Sequence, residues 1–234
     1  MNVDVIIPVY NGANLLQGAL DSTIKQGILR KNIYVIDDCS DDKPDIIAKK
    51  NGVNYLKTEV NSGPARARNI GIKNSSSEFI AFLDADDLML PGRIFSSLSR
   101  LVGSDFGMVC GNYRFWINRS RITEPFYKSI IEINYENMMK VNYVASGSVM
   151  LRRAVLDDVG LFNEDYILAE DYDLWVRIVE KYKISYIHDP LYLYSRDTIN
   201  KKSLTSNPKN LPILLDNINK IKEESSNRMK KWTI

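Results

Sequence analysis

The chain has 234 residues, a length that suits one large domain or a domain with a modest appendage. Hydrophobic residues make up 44% of it, enough for a full core, and the 26% of charged residues is ordinary for a soluble protein. The net charge of +2 comes from basic residues that are spread out and balanced by acids, so no nucleic-acid partner is expected.

The first hundred residues alternate between strand-like and helix-like segments. Short apolar runs predict strands at 3–9, 33–36, 53–56 and 79–83. Apolar residues at helical spacing and prolines at helix starts predict helices at 15–24, 44–50 and 64–73. This alternation indicates βαβ units. We therefore predict an α/β fold with a Rossmann-like, mostly parallel sheet flanked by helices.

The second half has a mixed pattern. Strands are predicted at 106–117, 146–151, 184–187 and 191–194. Helices are predicted at 134–140 and 170–181. These segments indicate a mixed region that packs onto the end of the parallel sheet, followed by an isolated amphipathic helix at 211–229. We expect one domain over 1–203, with halves of about 1–105 and 106–203, and a helical tail over 204–234.

Two acids stand where the fourth predicted strand ends. Side chains on an extended chain alternate between faces, so the carboxylates of Asp84 and Asp86 point the same way. Neighbouring carboxylates repel each other unless a cation lies between them, and Mg²⁺ or Mn²⁺ prefers oxygen ligands of this kind. Taken alone, the segment fits a solvated acidic turn better than a metal site.

Other polar residues are expected at the same edge of the sheet, because ligands of an open parallel sheet bind beyond the carboxyl ends of its strands. Tyr10 and Asn11 follow the first predicted strand, and Asp38 follows the second. The segment 61–69 opens a helix, whose first N–H groups favour an anion. This edge therefore suits a nucleotide diphosphate held with a divalent cation.

Features that define several other classes are missing from the sequence. A Gly-rich dinucleotide fingerprint and a phosphate-loop Gly-Lys-Ser/Thr pattern are both absent, which argues against hydride transfer and P-loop phosphoryl transfer. Cys39 and Cys110 form neither a disulfide framework nor a metal-site spacing, which indicates reduced thiols. The first apolar run is too short for a signal peptide, and no run approaches the roughly 20 apolar residues of a membrane span. We expect a cytoplasmic protein.

Five motifs together resemble those of one enzyme family. They read VIIPVYN at 5–11, VIDDCS at 35–40, NSGPARARNIG at 61–71, FLDADD at 82–87 and AEDYDLW at 169–175. Each motif is weak alone, but their order and spacing look like a family 2 glycosyltransferase, an inverting enzyme with the GT-A fold. The resemblance covers about residues 3–195. It implies that the first half, about 1–105, binds the nucleotide sugar and that the second half receives the acceptor.

The resemblance also implies a role for each matched position. The implied nucleotide-sugar-binding residues are Pro8, Tyr10, Asn11, Asp38, Asn61, Arg68, Asp84 and Ala85. Asp38 is expected to accept a hydrogen bond from a uracil ring N–H, while Asn61 and Arg68 border the base and the diphosphate. Asp86, together with Asp84, is the expected ligand of Mn²⁺ or Mg²⁺. Asp37 is expected to be a turn residue, and Arg66 is expected to be a solvated residue of the helix.

Glu170 and Asp171 precede a predicted helix and admit two interpretations. They are either helix N-terminal charge, stabilised by the macrodipole, or part of the catalytic site. The resemblance implies that Asp171 is the catalytic base, which takes the proton of an acceptor hydroxyl as that hydroxyl attacks the anomeric carbon. A single base and direct displacement invert the sugar configuration, and a bound cation stabilises the leaving diphosphate.

The sequence departs from the family pattern near its last strands. Many members have a His there that helps to hold the metal or the diphosphate, whereas residues 194–203 contain none. The candidate replacements are Arg196, as a phosphate ligand, and Asp197, as an oxygen ligand of the metal. The single histidine of the chain, His188, is interpreted as a structural residue at a strand end.

The acceptor side is less well defined. Glu170, Trp175 and Trp116 are candidates for contact with the acceptor, although tryptophans in such segments also fit a core. The basic and aromatic end of the tail, residues 228–232, either contacts an anionic membrane at its inner face or packs on the domain.

The sequence therefore predicts an enzyme that moves a sugar from a nucleotide-diphosphate donor, expected to be a UDP-sugar, to a hydroxyl of a glycan or lipid-linked acceptor. The alternative is a GT-A module that holds nucleotide or glycan without turnover, within a larger synthase. A sugar nucleotidyltransferase is disfavoured, because residues 11–14 do not form a Gly-rich loop with Arg or Lys after the first strand.

Overall fold

A computed structural model describes residues 2–129, 132–196 and 207–232. Within these residues one sheet contains nine strands: β1 Val3–Val9, β2 Ile33–Asp37, β3 Asn54–Lys57, β4 Phe79–Phe82, β5 Leu88–Met89, β6 Phe106–Ile117, β7 Arg121–Pro125, β8 Met150–Arg152 and β9 Lys183–Arg196. The α-helices are α1 Ala13–Ile24, α2 Pro44–Asn51, α3 Pro64–Asn74, α4 Arg93–Leu101, α5 Tyr135–Lys140, α6 Arg153–Val159, α7 Glu170–Val179 and α8 Leu211–Trp232. Short 3₁₀ turns cover Arg30–Asn32, Ser146–Ser148 and Pro208–Asn210.

The first four strands form the predicted parallel sheet, in the order β3-β2-β1-β4. Alternate residues of the central strand β1 face opposite sides, so that Val5 and Ile7 enter one apolar cluster and Ile6 enters the other. Both faces of the sheet are thus buried, which explains why β1 reads as a continuous apolar run.

Prolines fix the starts of two helices that flank this sheet. Pro44 is the first residue of α2 and Pro64 the first of α3, where the missing N–H has no helical partner to lose. Gly63 precedes α3 with a φ of 86°, a conformation that only glycine adopts easily. The Gly63 backbone N–H donates to the Asp38 carboxylate, so α3 begins beside the end of β2.

The second half completes the sheet with mixed pairing, as predicted. β8 is antiparallel to both β4 and β6, β9 runs parallel to β6, and β5 and β7 pair antiparallel at the margins. The two short strands predicted at 184–187 and 191–194 are one strand, β9, with register shifts against β6 near Pro190. The elements α4, α6, β5 and β7 were not predicted.

The tail helix α8 packs on the domain rather than standing apart. Ile221 and Ser225 are completely buried, and the Arg228 guanidinium forms an ion pair with Glu180 at 2.8 Å. Membrane contact by the tail stays a prediction. None of the described helices has both the length and the apolar character needed to cross a membrane.

Candidate active site

Loops from the ends of β1 and β2 are tied together at the carboxyl edge of the sheet. The Asn11 backbone N–H donates to the Ser40 hydroxyl, and the Asp41 backbone N–H donates to the Asn11 side-chain oxygen, both over 2.9 Å. Asn11 has a φ of 48°, which Asn tolerates better than most residues. Tyr10 is 52% exposed and Pro8 half-buried, so both remain accessible to a ligand at this edge.

The two acids that follow one another at the end of β2 have different partners. Asp37 is completely buried and accepts a hydrogen bond from the Ser40 backbone N–H over 2.8 Å, as expected of a turn residue. The Asp38 carboxylate accepts from the backbone N–H groups of Ser62 and Gly63, the latter over 2.7 Å. The sequence did not predict these two backbone donors. A uracil ring N–H would have to compete with them for the Asp38 carboxylate.

Three other residues complete this edge. Asn61 is exposed, and Ala85 is buried beneath the acidic turn. Cys39 is partly exposed, has a φ of 66°, and donates its thiol hydrogen to the Glu59 carbonyl over 3.4 Å. The nucleotide-binding roles of Asn61 and Ala85 stay predictions.

Arg68 has a different position from the one predicted at the diphosphate. Only 4% of its surface is exposed. Its guanidinium donates to Oδ1 of Asp84 over 2.8 Å and to Oε1 of Glu170 over 3.0 Å, and it lies 5.5 Å from the ring centroid of Phe162. Both carboxylates form ion pairs with Arg68, because α3 places its side chain between the end of β4 and the start of α7. Arg68 is thus an internal counter-ion of the site.

The acids of the turn after β4 have unlike surroundings. The Asp86 side chain is exposed. Partial loss of hydration raises its pKa to about 6, and the charge of Asp84 adds to this rise. Asp87 is buried, and its Oδ1 accepts from the Ser195 backbone N–H over 2.7 Å. Burial and the neighbouring carboxylates raise the pKa of Asp87 well above its ordinary value. Asp87 is therefore a structural acid of this turn.

The donor set of this turn fits a divalent cation that also binds substrate. Asp86 and the oxygen of Asp84 outside the Arg68 ion pair are hard oxygen ligands of the same turn, near enough that the charge of Asp84 raises the pKa of Asp86. The described part of the chain holds no group of three or more metal-ligating side chains. This combination suits Mg²⁺ or Mn²⁺, which protein sites often hold through one or two carboxylates plus substrate phosphates.

Glu170 and Asp171 form the first turn of α7, behind Ala169 in a left-handed conformation with a φ of 66°. Oδ2 of Asp171 accepts from the Ser146 hydroxyl over 3.1 Å. Burial raises the pKa of Asp171, and the positive charge of Arg68 opposes this rise. Burial and the charge of Asp171 raise the pKa of Glu170 to about 7. The pair thus combines a positioned carboxylate with an acid that titrates near neutrality.

The two tryptophans proposed for the acceptor side differ sharply. Trp175 is completely buried and meets Phe162 edge-on, with ring centroids 5.9 Å apart. No sugar ring reaches it, so its predicted acceptor role was wrong and the core alternative is correct. Trp116 lies near the tip of the β6–β7 hairpin and is partly exposed, with the Arg119 guanidinium 5.1 Å from its ring centroid.

Arg119 is a residue of this site that the sequence did not reveal. Its Nη2 lies 3.4 Å from the Asp86 backbone oxygen, and its charge lowers the pKa of Asp86 and of Asp87. A single arginine in a hairpin carries no motif. The pairing of β6 with β7, which was not predicted, brings it to the acidic turn.

The region proposed to replace the missing histidine is described only in part. Arg196 ends β9 with its guanidinium 5.1 Å from the ring centroid of Phe115, while Asp197 lies outside the described residues. His188 lies within β9 and is exposed, and its backbone oxygen accepts from the Asn112 amide over 3.0 Å. This agrees with a structural role for His188 within a strand.

The sequence model of the family described as Glycosyl transferase family 2 matches residues 4–160. An uncharacterized glycosyltransferase of Rickettsia typhi is 30% identical over 200 residues, which are 81% of this chain and 62% of the relative. The Escherichia coli protein WfgD, named UDP-Glc:alpha-D-GlcNAc-diphosphoundecaprenol beta-1,3-glucosyltransferase, is 28% identical over 88% of this chain and 80% of its own length. The chain thus spans somewhat less than two thirds of the Rickettsia relative.

Solved structures show the same fold. S. aureus TarS 1-349 in complex with UDP-GlcNAc superposes with a TM-score of 0.70 at 24% identity, over 84% of this chain and 59% of that one. The mannosyltransferase PcManGT from Pyrobaculum calidifontis, in complex with GDP-Man and Mn²⁺, gives a TM-score of 0.66 at 20% identity, over 82% and 56%. The predicted GT-A fold and the predicted family are confirmed, and the chain belongs to glycosyl transferase family 2.

Proposed function

We propose that this chain is an inverting glycosyltransferase that uses a UDP-sugar and transfers the sugar to a hydroxyl of a glycan or lipid-linked acceptor. One observation carries the proposal: buried Arg68 joins Asp84, at the end of β4, to Glu170 at the start of α7, beside Asp171. The donor edge and the expected base are thereby parts of one charged site. WfgD, whose name specifies a UDP-Glc donor and a diphosphoundecaprenol-linked acceptor, supports the choice of substrates.

Asp171 is the proposed general base. The acceptor oxygen forms a bond to the anomeric carbon, the bond from that carbon to the diphosphate oxygen breaks, and the hydroxyl proton passes to the Asp171 carboxylate. The Ser146 hydroxyl holds one carboxylate oxygen of Asp171, and Arg68 favours its charged form. No covalent sugar–enzyme intermediate is required, so the anomeric configuration inverts.

Asp86, with the available oxygen of Asp84, would hold Mn²⁺ or Mg²⁺ in this mechanism. When bound, the cation supplies positive charge to the diphosphate as that group departs. The complex of the mannosyltransferase PcManGT contains Mn²⁺ together with its GDP-Man donor, which is consistent with this assignment. The cation also offers a physical reason for two acids to stand together at the end of β4.

The test is release of UDP from a panel of UDP-sugars, with Mn²⁺ and a mixture of candidate acceptors. We expect one donor to be consumed, and Asp171→Asn to reduce turnover by about a thousandfold or more while leaving UDP affinity nearly unchanged. Asp165→Asn, in the exposed loop before α7, is the matched control and should retain activity. Full turnover by Asp171→Asn would show that Asp171 is not the general base.

The same experiment separates the enzyme from a non-catalytic module. A chain that binds UDP with ordinary affinity but releases none from any donor would fit the binding module. Asp86→Ala adds a test of the metal, because it should weaken UDP binding with Mn²⁺ present and change it little with chelator.

A further inference from the structure

The proposed donor carries a diphosphate, yet the arginine expected to bind it is occupied elsewhere. Arg68 is buried and pairs with Asp84 and Glu170. Breaking the pair with Glu170 would leave a buried carboxylate without a partner, which is costly. Positive charge for the diphosphate must therefore come from another side chain or from a bound cation alone.

Arg119 is a cation whose guanidinium reaches the acidic turn. It lies in the turn of the β6–β7 hairpin, where Asn118 and Arg119 have φ values of 46° and 57° and the Ser120 backbone N–H donates to the Ile117 carbonyl. Positive φ at both central residues is typical of a type I′ hairpin turn, which fixes the direction of the tip. The tip is also held by β9, because the Asn118 backbone N–H donates to the Arg196 carbonyl over 3.0 Å.

The Arg119 guanidinium is held in one orientation. Among the described residues, some of its N–H groups have no acceptor. The ring of Trp116 supports one face of it at 5.1 Å, and the contact with the Asp86 backbone oxygen is long, at 3.4 Å. No carboxylate within the described ranges lies within 4.0 Å of its nitrogens. A planar fork of five N–H donors, held beside the carboxylates of the acidic turn, matches the geometry of a phosphate.

We propose that Arg119, supported by Trp116, binds the β-phosphate of the nucleotide diphosphate. The inference rests on the proposed function. Arg119 would contact the oxygens on which negative charge accumulates when the sugar–oxygen bond breaks, so it would stabilise the leaving group as well as the bound donor. It transfers no proton, because a guanidinium remains charged at any physiological pH.

The test compares uridine, UMP and UDP by calorimetry, each with Mn²⁺ and with chelator. We expect Arg119→Gln to weaken UDP binding by about tenfold to a hundredfold, the range for loss of a charge-assisted hydrogen bond. Uridine affinity should stay unchanged, so that the gain in affinity from UMP to UDP largely disappears. Arg119→Lys should restore part of this gain, since it keeps the charge but not the fork.

Arg121→Gln is the matched control, because Arg121 is an exposed arginine in the same hairpin and its loss changes the net charge equally. It should alter UDP affinity by no more than about twofold, as expected of a screened surface charge. Unchanged UDP binding by Arg119→Gln would overturn the inference. Equal losses for uridine and UDP would also overturn it, because they would mean that Arg119 only supports the fold. If the unaltered chain fails to bind UDP, the proposed function itself falls.

Discussion

At the scale of single residues, Arg68 controls the charge balance of the site. It is the one group among the described residues that pairs with both Asp84 and Glu170, and its charge also opposes the raised pKa of Asp171. Buried carboxylates are stable as anions only when such a partner is present. The protonation of the Glu170–Asp171 pair therefore depends on a side chain more than a hundred positions earlier in the chain.

The pH dependence of turnover follows from this pair. A general base works only when deprotonated, and the pKa of Glu170 is about 7 while that of Asp171 is raised. Asp171 is the proposed base, so we expect kcat/KM to fall in acid at a pH above the ordinary aspartate pKa of about 3.9. The two groups titrate together, so the profile reports values of the pair.

Glu170→Gln should shift this fall to lower pH, because it removes the like charge beside Asp171. The measurement is kcat/KM for the preferred donor from about pH 3.5 to about pH 9, a range that covers both titrations. A profile that falls only near pH 4, or one that Glu170→Gln leaves in place, would contradict the coupling.

Motifs singled out several residues of the candidate site, but not their partners. The positions of Asp84, Asp86 and Asp171 follow from local signals, namely a strand end or a helix start. The ion pair of Arg68 with Glu170 spans 102 positions, and no local pattern encodes such a contact. Trp175 was misjudged because an apolar helix face looks the same in sequence whether it meets a ligand or the core.

At the scale of elements, the contact of α3 with β1 sets the height of the helix above the sheet. A Cβ atom at Gly71 would lie 2.5 Å from Cγ2 of Ile6, far inside van der Waals contact. The absence of a side chain at Gly71 lets α3 lie close to the strand. That closeness places Arg68, one turn earlier on the same helix, beside the end of β4.

Gly71→Ala should therefore destabilise the fold. The clash with Ile6 is expected to lower the free energy of unfolding by about 1–3 kcal/mol, the usual range for overpacking a core. Chemical denaturation followed by circular dichroism measures it. Gly18→Ala is a control within α1, because its new methyl would meet only the flexible end of Leu88 at 3.2 Å. A stability for Gly71→Ala equal to that of Gly18→Ala would disprove the close approach.

Arg93 connects other elements beneath the active site. It is completely buried, and its Nη2 donates to the carbonyls of Phe82, Gly147 and Val149. These carbonyls belong to the end of β4 and to the turn around Ser146–Ser148. Because Ser146 holds Asp171, one buried arginine links the acidic turn to the base by way of the backbone.

At the scale of the whole molecule, one continuous sheet joins both halves. The parallel half ends at β4, and its antiparallel pairing with β8 carries the sheet into the second half. The predicted boundary near residue 105 is therefore not a gap between two cores. Both apolar clusters contain residues from before and after it.

The two halves should consequently unfold together. All three tryptophans follow residue 106, so their fluorescence reports the second half and the tail, whereas circular dichroism reports the whole chain. We expect the two signals to give coincident transitions in denaturant, as a two-state domain requires. Loss of tryptophan fluorescence ahead of the dichroism signal would show instead that the second half unfolds on its own.

The parallel half was predicted almost completely, because each βαβ unit carries its own local signals of strand, turn and helix. The second half depends on pairings between distant segments. The long parallel contact of β6 with β9 and the short strands β5 and β7 have little periodicity of their own. Their residues read as loops or separate strands until the sheet brings them together.

The thiols of the chain have a practical consequence. Cys110 is sealed in the core, while Cys39 is partly exposed on the loop after β2 that adjoins Asp38. A maleimide dye should thus attach to the native chain at one position, beside the edge of the sheet where the nucleotide is expected. Cys39 is thus a native attachment site for a fluorescent dye, so ligand binding can be followed by fluorescence without engineering a cysteine.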